Sequence, residues 1–288
     1  MDQQYCKCET LEQIQSARAD DTEAKFWIGN VQVVDDYQSQ LRSQEWVQLL
    51  EAKQFGFRSQ PMLAKLHKRL MMSVYLGLHD VSKEGRRAAW MLMLGIDLES
   101  EEMRAHRELY KMFLDEITMG KTRQWEVEHL IIKDVPRTFS SLKLFDQNPA
   151  SKKNKLFNVL KVYSMYDQDV GYTQGMSFIA ALILMVIDDE ALAWTIFVKI
   201  MSGPGSDWRR FYGENTPKLF EITKTLREYI KKDLPKLNKS LNDHNVILES
   251  LFASPLLTLF ANLIPIEQAF RVLERFMLGK QPIKFIII

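Results

Sequence analysis

The chain has 288 residues, 46% of them hydrophobic and 26% charged, the balance of a soluble globular protein with enough apolar surface for a sizeable core. Its 38 basic residues meet 37 acidic ones for a formal net charge of +1, so no global field draws in nucleic acid or an anionic membrane, and any charged interface must be local. The only cysteines, Cys6 and Cys8, exclude a disulfide framework, fit a reducing compartment, and lack the further ligands a zinc site needs.

In chain order, the opening "MDQQYCKCETLEQIQSARADDTEAKFWIGN" lacks the basic-then-apolar order of a signal peptide. Residues 1–75 read as an N-terminal extension, flexible to about residue 24 and then partly helical, with "EWVQLLEAK" its first clear helix. Residues 76–288 read as one continuous domain, since no Gly/Ser linker, low-complexity run or internal repeat interrupts them. In "SEEMRAHRELYKMFLDEI" the residues Met103, His106, Leu109, Phe113 and Ile117 recur at helical steps, with Ser100 placed as an N-cap before acidic residues. "NKLFNVLKVYSMYDQD" repeats the pattern through Leu156, Val159, Leu160, Tyr163 and Tyr166, and "SKKNK" just before it reads as a solvated loop. Met176 to Ile187 is apolar for about a dozen residues, against roughly 20 for a membrane span, and reads as a buried core helix. "ALAWTIFVKIM" and "FEITKTLREYIKKDLP" extend the helical series, while "VQVV" and the terminal "IKFIII" are the strand candidates. The expectation is an all-α protein with short polar connections.

No glycine-rich phosphate loop, H-E-x-x-H or nucleophile elbow is present, and the five histidines lack ligand spacing. Chemistry, if any, would come from side chains offered to a ligand that another molecule carries. In "IIKDVPRTF", Pro136 disfavours helix at Val135, which predicts that the chain reaches Arg137 through a turn, on a stiffened loop or a helix start. A guanidinium held there, with Asp134 in reach to orient it, can neutralise charge developing on a phosphoryl group. The same segment also reads as a surface Asp–Arg pair beside a helix cap. In "DVGYTQGM", Gly171 and Gly175 permit a tight turn around Tyr172 and Gln174, and a fixed carboxamide can hold an attacking water. The competing reading of Gln174 is a capping or core-satisfying amide. "WRRFYGE" reads as amphipathic packing, its arginines lying over aromatic faces, or as a contact to a partner or a phosphate.

Taken together, "I-x-x-D-x-x-R" at Ile131, Asp134 and Arg137 and "Y-x-Q" at Tyr172 and Gln174 resemble the paired motifs of TBC domains, the GTPase-activating domains that act on Rab proteins. Upstream, "GLHDVSKEGRRAAWMLMLGI" looks like that family's opening element, with Arg86 four residues before Trp90, and the likeness runs from about Gly77 to the C-terminus. The resemblance implies an all-helical, multi-helix domain whose Arg137 and Gln174 act as an arginine finger and a glutamine finger supplied in trans. Asp134 would orient Arg137, Tyr172, Gly171 and Gly175 would shape the loop, and Arg86 with Trp90 would support the floor of the site or its Asp. The chain would need no cofactor or metal of its own, because GTP and magnesium arrive with a GTP-bound Rab. It would be an activator in trans and not a stand-alone enzyme, cytoplasmic, and transiently at membranes through the lipidated Rab.

Three features depart from the family's pattern. "FASPLLTLF" carries Pro255 and Leu256 where an aromatic step is usual, Leu273 and Glu274 replace a tryptophan–aspartate pair, and the sequence stops at "GKQPIKFIII" where the family continues. They imply a domain without its last helices, with an exposed apolar edge at the terminal isoleucines and reduced stability. The alternatives are a non-catalytic TBC scaffold and a helical adaptor whose motif matches are accidental.

Overall fold

The computed structural model describes residues 36–54, 74, 77–121, 125–140, 149–202 and 208–278. Every regular element among them is helical: α1 (Asp36–Gln54), α2 (Lys83–Met93), α3 (Glu101–Thr118), α4 (Trp125–Arg137), α5 (Pro149–Tyr166), α6 (Met176–Val186), α7 (Glu190–Ser202), a 3-10 turn (Trp208–Phe211), α8 (Pro217–Asp233), α9 (Pro235–Asp243), α10 (Leu248–Leu257) and α11 (Ile266–Met277). The all-α expectation holds. "VQVV", "IKFIII", Cys6, Cys8 and the expected apolar terminal edge lie outside the described residues.

The apolar character of each helix decides its depth. "MSFIAALILMV" offers no polar face to water, so α6 is buried on nearly every side and packs against α2, α4, α5 and α7. Around it, α3 covers α5 and α7 with one face only, burying Met103 and Tyr110, and Ser100 caps its start by accepting from the Met103 amide at 3.1 Å. Leu156, Val159, Leu160 and Tyr163 of α5 are in the core as their spacing predicts, while Tyr166 is half-exposed and meets Trp194 edge-on. The 3-10 turn and α10 carry α8, and α11 returns to α2. Helix α1, inside the stretch assigned to the N-terminal extension, buries Trp46 and Leu49 against Ala88, Ala89 and Leu92 of α2.

Two local expectations are corrected. "SKKNK" is not a loop: it occupies the first turns of α5, which Pro149 opens with a φ already helical. Likewise Arg137 is not reached through a turn, because α4 runs through Val135 and Pro136. A proline one residue from the helix end removes only one N–H, and Ile132, four residues before it, lies on the exposed flank of the helix. The helix closes instead through the Thr138 amide on the Asp134 carbonyl, 3.0 Å.

Candidate functional site

The last turn of helix α4 buries Asp134 and Val135 and leaves Pro136 and Arg137 at the surface. Asp134 is 5% exposed, whereas the Arg137 side chain is 56% exposed. Three residues apart on a helix, the two share a face. Arg137 donates from Nε to Asp134 Oδ1 at 2.8 Å, and its Nη2 contacts the same oxygen. The other carboxylate oxygen, Oδ2, accepts from the Tyr172 hydroxyl at 2.6 Å. Burial, then the bond to and the charge of Asp134, push the Tyr172 phenol far above its ordinary value, so it remains a neutral donor. One buried carboxylate thereby ties the end of α4 to the loop between α5 and α6.

The same junction is pinned at two more points. Thr138 Oγ1 lies 2.8 Å from both the Asp134 carbonyl and Ser177 Oγ. Its single proton can serve only one of these two acceptors at a time. Beyond it Phe139, at φ 48°, turns the chain sharply and sets its ring edge-on to Phe178 of α6 at 5.1 Å.

The loop carries Gln174 outward. Gly171 adopts φ 61°, where a side chain is disfavoured, and its amide closes on the Asp167 carbonyl at 2.7 Å. Tyr172 points inward to Asp134, and Gln174, two residues on, is exposed, with no side-chain hydrogen bond recorded among the described residues. Neither a helix cap nor a core partner accounts for this amide. Gly175 then starts α6 at φ 110°, and a Cβ there would stand 2.8 Å from the Leu257 carbonyl oxygen. Gly175→Ala combines backbone strain with a collision against backbone, and is expected to cost about 2–4 kcal/mol in urea unfolding. A loss below about 0.5 kcal/mol would mean that the loop has another way to pass Leu257.

Arg86 and Trp90 are not at this junction. Both reach Glu274 of α11: Trp90 Nε1 donates to Oε1 at 3.2 Å, and Arg86 Nε lies 3.0 Å from the same oxygen without an aligned N–H bond. Arg86 also donates to the Leu78 carbonyl at 2.8 Å and lies over the Phe270 ring at 4.6 Å. The expected floor under Asp134 is therefore a separate brace between α2 and α11. Glu274, which stands where the family's pattern has aspartate, supplies its carboxylate. Nor do both arginines of "WRRFYGE" turn to aromatic faces, because Arg209 forks onto Asp167 and Arg210 lies 3.4 Å from Glu221.

The residues missed from sequence are Thr138, Ser177 and Leu257, while Arg209 and Tyr212 stand in "WRRFYGE", read there as packing or a partner contact and not as part of this junction. Thr138 follows Arg137 directly, but its contact with Ser177 and that of Tyr212 with Leu257 join residues far apart in sequence and arise only through packing. A surface hollow of about 310 Å³ between α1 and α2, lined by Ser43, Val47 and Ser82, includes none of the candidate residues. Arg137 and Gln174 are instead both exposed side chains. Among the described residues no group of three or more His, Cys, Asp or Glu could hold a metal ion.

The model of the Rab-GTPase-TBC domain family matches residues 83–288. The chain is 30% identical over 205 residues to Rab GTPase-activating protein tbc-11 of Caenorhabditis elegans, covering 70% of this chain and 21% of that protein. It is 29% identical over 252 residues to GTPase-activating protein GYP5 of Eremothecium gossypii, covering 85% and 26%. The chain thus spans about a fifth to a quarter of the length of these two relatives. Among solved structures, the Ypt/Rab-GAP domain of Gyp1p shares the fold, with a TM-score of 0.63 at 16% identity over 83% of each chain.

Proposed function

Because this chain belongs to the Rab-GTPase-TBC domain family, we propose that it accelerates GTP hydrolysis by a GTP-bound Rab through Arg137 and Gln174, supplied in trans. The observation that supports the reading is the shared, buried Asp134, whose two oxygens bond to Arg137 and Tyr172 and so tie the two motif segments together. Membership of the family argues against a helical adaptor whose motif matches are accidental.

The Rab would bring GTP and magnesium, which supply the scissile phosphoryl group and its charge compensation. Arg137 carries five N–H donors, and its pairing with Asp134 occupies only some of them, so others can meet charge developing on the phosphoryl oxygens. Because Asp134 already holds the guanidinium, little side-chain entropy is left to lose on docking. Gln174 can accept from an attacking water and donate to a neighbouring oxygen, and its loop is braced by Tyr172. Contact with membrane would be indirect, through a lipidated Rab on the cytoplasmic side. No helix among the described residues is long and apolar enough to cross a bilayer.

The test is single-turnover GTP hydrolysis by a panel of purified, GTP-loaded Rabs. At least one should be accelerated by the wild-type chain, and Gln174→Ala should lose on the order of 100-fold of that acceleration. A GTP-loaded Rab that binds tightly yet hydrolyses no faster would replace this reading with a non-catalytic scaffold.

A further inference from the structure

The loop that carries Gln174 is gripped at both ends by one short turn elsewhere in the chain. Asp167, at the end of α5, is nearly buried, and Arg209 meets its two oxygens in a fork, Nε to Oδ2 and Nη2 to Oδ1, each 2.7 Å. The same Nη2 reaches Asp169 at 3.0 Å, and the Tyr163 hydroxyl donates to Asp167 Oδ2 at 2.8 Å. Burial opposes the charge of Asp167, yet the Arg209 fork and Tyr163 hold its carboxyl below the ordinary value. At the other end, Tyr212 donates to the Leu257 carbonyl at 2.5 Å, and that carbonyl is the atom against which Gly175 packs.

The turn itself is rigid. Trp208 and Phe211 are fully buried, Trp208 Nε1 donates to the Tyr212 hydroxyl at 3.2 Å, and the Trp208 ring meets Phe276 edge-on at 4.9 Å. A bidentate guanidinium on such a base fixes direction as well as distance.

We infer that Arg209, with Tyr212 behind it, is a positioning residue that sets the path of the loop from Asp167 to Gly175 and so aims Gln174. This rests on the role given to Gln174 above. In this assignment Arg209 acts through the loop and not by contact with the reacting groups. Its fork is specific to a planar guanidinium, so Arg209→Lys restores charge without the paired bonds and should recover only part of the function.

The test uses the full chain as wild type, Arg209→Ala, Arg209→Lys, Gln174→Ala and the Arg209→Ala/Gln174→Ala double variant. Amide hydrogen exchange over 168–175 should quicken at least about tenfold in Arg209→Ala while α5 and α6 keep their protection. With a responsive Rab, the maximal single-turnover rate should fall about 10- to 100-fold. The half-saturating concentration should stay within about threefold. The double variant should be no worse than Gln174→Ala alone, because both changes disable one device. Unchanged exchange in the loop, additive losses in the double variant, or a raised half-saturating concentration at full maximal rate would each overturn the assignment, the last by making Arg209 a partner contact. If no Rab responds to wild type, the proposed function fails, and the exchange result alone upholds or overturns the clamp.

Discussion

Arg137→Ala is expected to remove the acceleration of GTP hydrolysis, by on the order of 10³ to 10⁵ in single-turnover rate, equivalent to about 4–7 kcal/mol of transition-state stabilisation. The size follows from what the side chain would do. It is half exposed at the end of α4 and already oriented by Asp134, so its removal takes away a prepaid charge contact. Arg137→Lys should also lose most of the effect, because a compact ammonium cannot bond to Asp134 and still present a planar fork. Tyr172 still donates to Asp134 in this variant, and a thermal melt beside the rate measurement separates lost folding from lost chemistry. Rates for Arg137→Ala equal to wild type, with a Rab that wild type accelerates, would end the arginine-finger assignment.

The second large effect is on stability and lies at the brace between α2 and α11. Glu274 is fully buried, and burial pushes its carboxyl up to about 7 even though the Arg86 charge and the Trp90 bond oppose the rise. Arg86→Met keeps apolar bulk over Phe270 but removes the ion-pair partner of that carboxylate. The expected cost at pH 8 is about 3–5 kcal/mol, a fall of roughly 10 °C or more in thermal midpoint for a domain of this size. At pH 5.5 the loss should be smaller, because a protonated Glu274 needs no cation.

The wild type carries the same signature in milder form. A carboxyl whose folded value lies above its unfolded one binds its proton more tightly when folded. Its contribution to stability is therefore complete below about 4.5 and is lost as pH rises through about 7. Glu274→Gln should flatten that part of the pH dependence, since an amide has no charge to desolvate. Thermal melts of wild type, Arg86→Met and Glu274→Gln at pH 5.5 and 8 decide the matter. An Arg86→Met loss that is the same at both pH values would remove Glu274 from the explanation.

Several elements were legible because they depend on near neighbours. The helical spacing from Met103 to Ile117 and the Ser100 cap need only residues three or four positions apart, and both are found in α3. The all-apolar run beginning at Met176 could satisfy itself only in a core, and α6 is there. Pro136 misled because the rule against helix before proline is local, whereas α4 is held through that point by Ile131 and Val135 in the core and by Thr138 on Ser177. Propensity gave way to packing.

The candidate site divides along the same line. The sequence by itself determined the residue types and their offsets: Arg137 three after Asp134, Gln174 two after Tyr172, and glycines at Gly171 and Gly175 where positive φ was needed. Tertiary structure alone decided the partners. Asp134 meets Tyr172 across 38 positions, Arg209 meets Asp167 across 42, and Trp90 meets Glu274 across 184. A helix or turn is specified by contacts within one or two turns of chain. Which carboxylate neutralises which cation depends on how whole helices pack, and no local pattern encodes that.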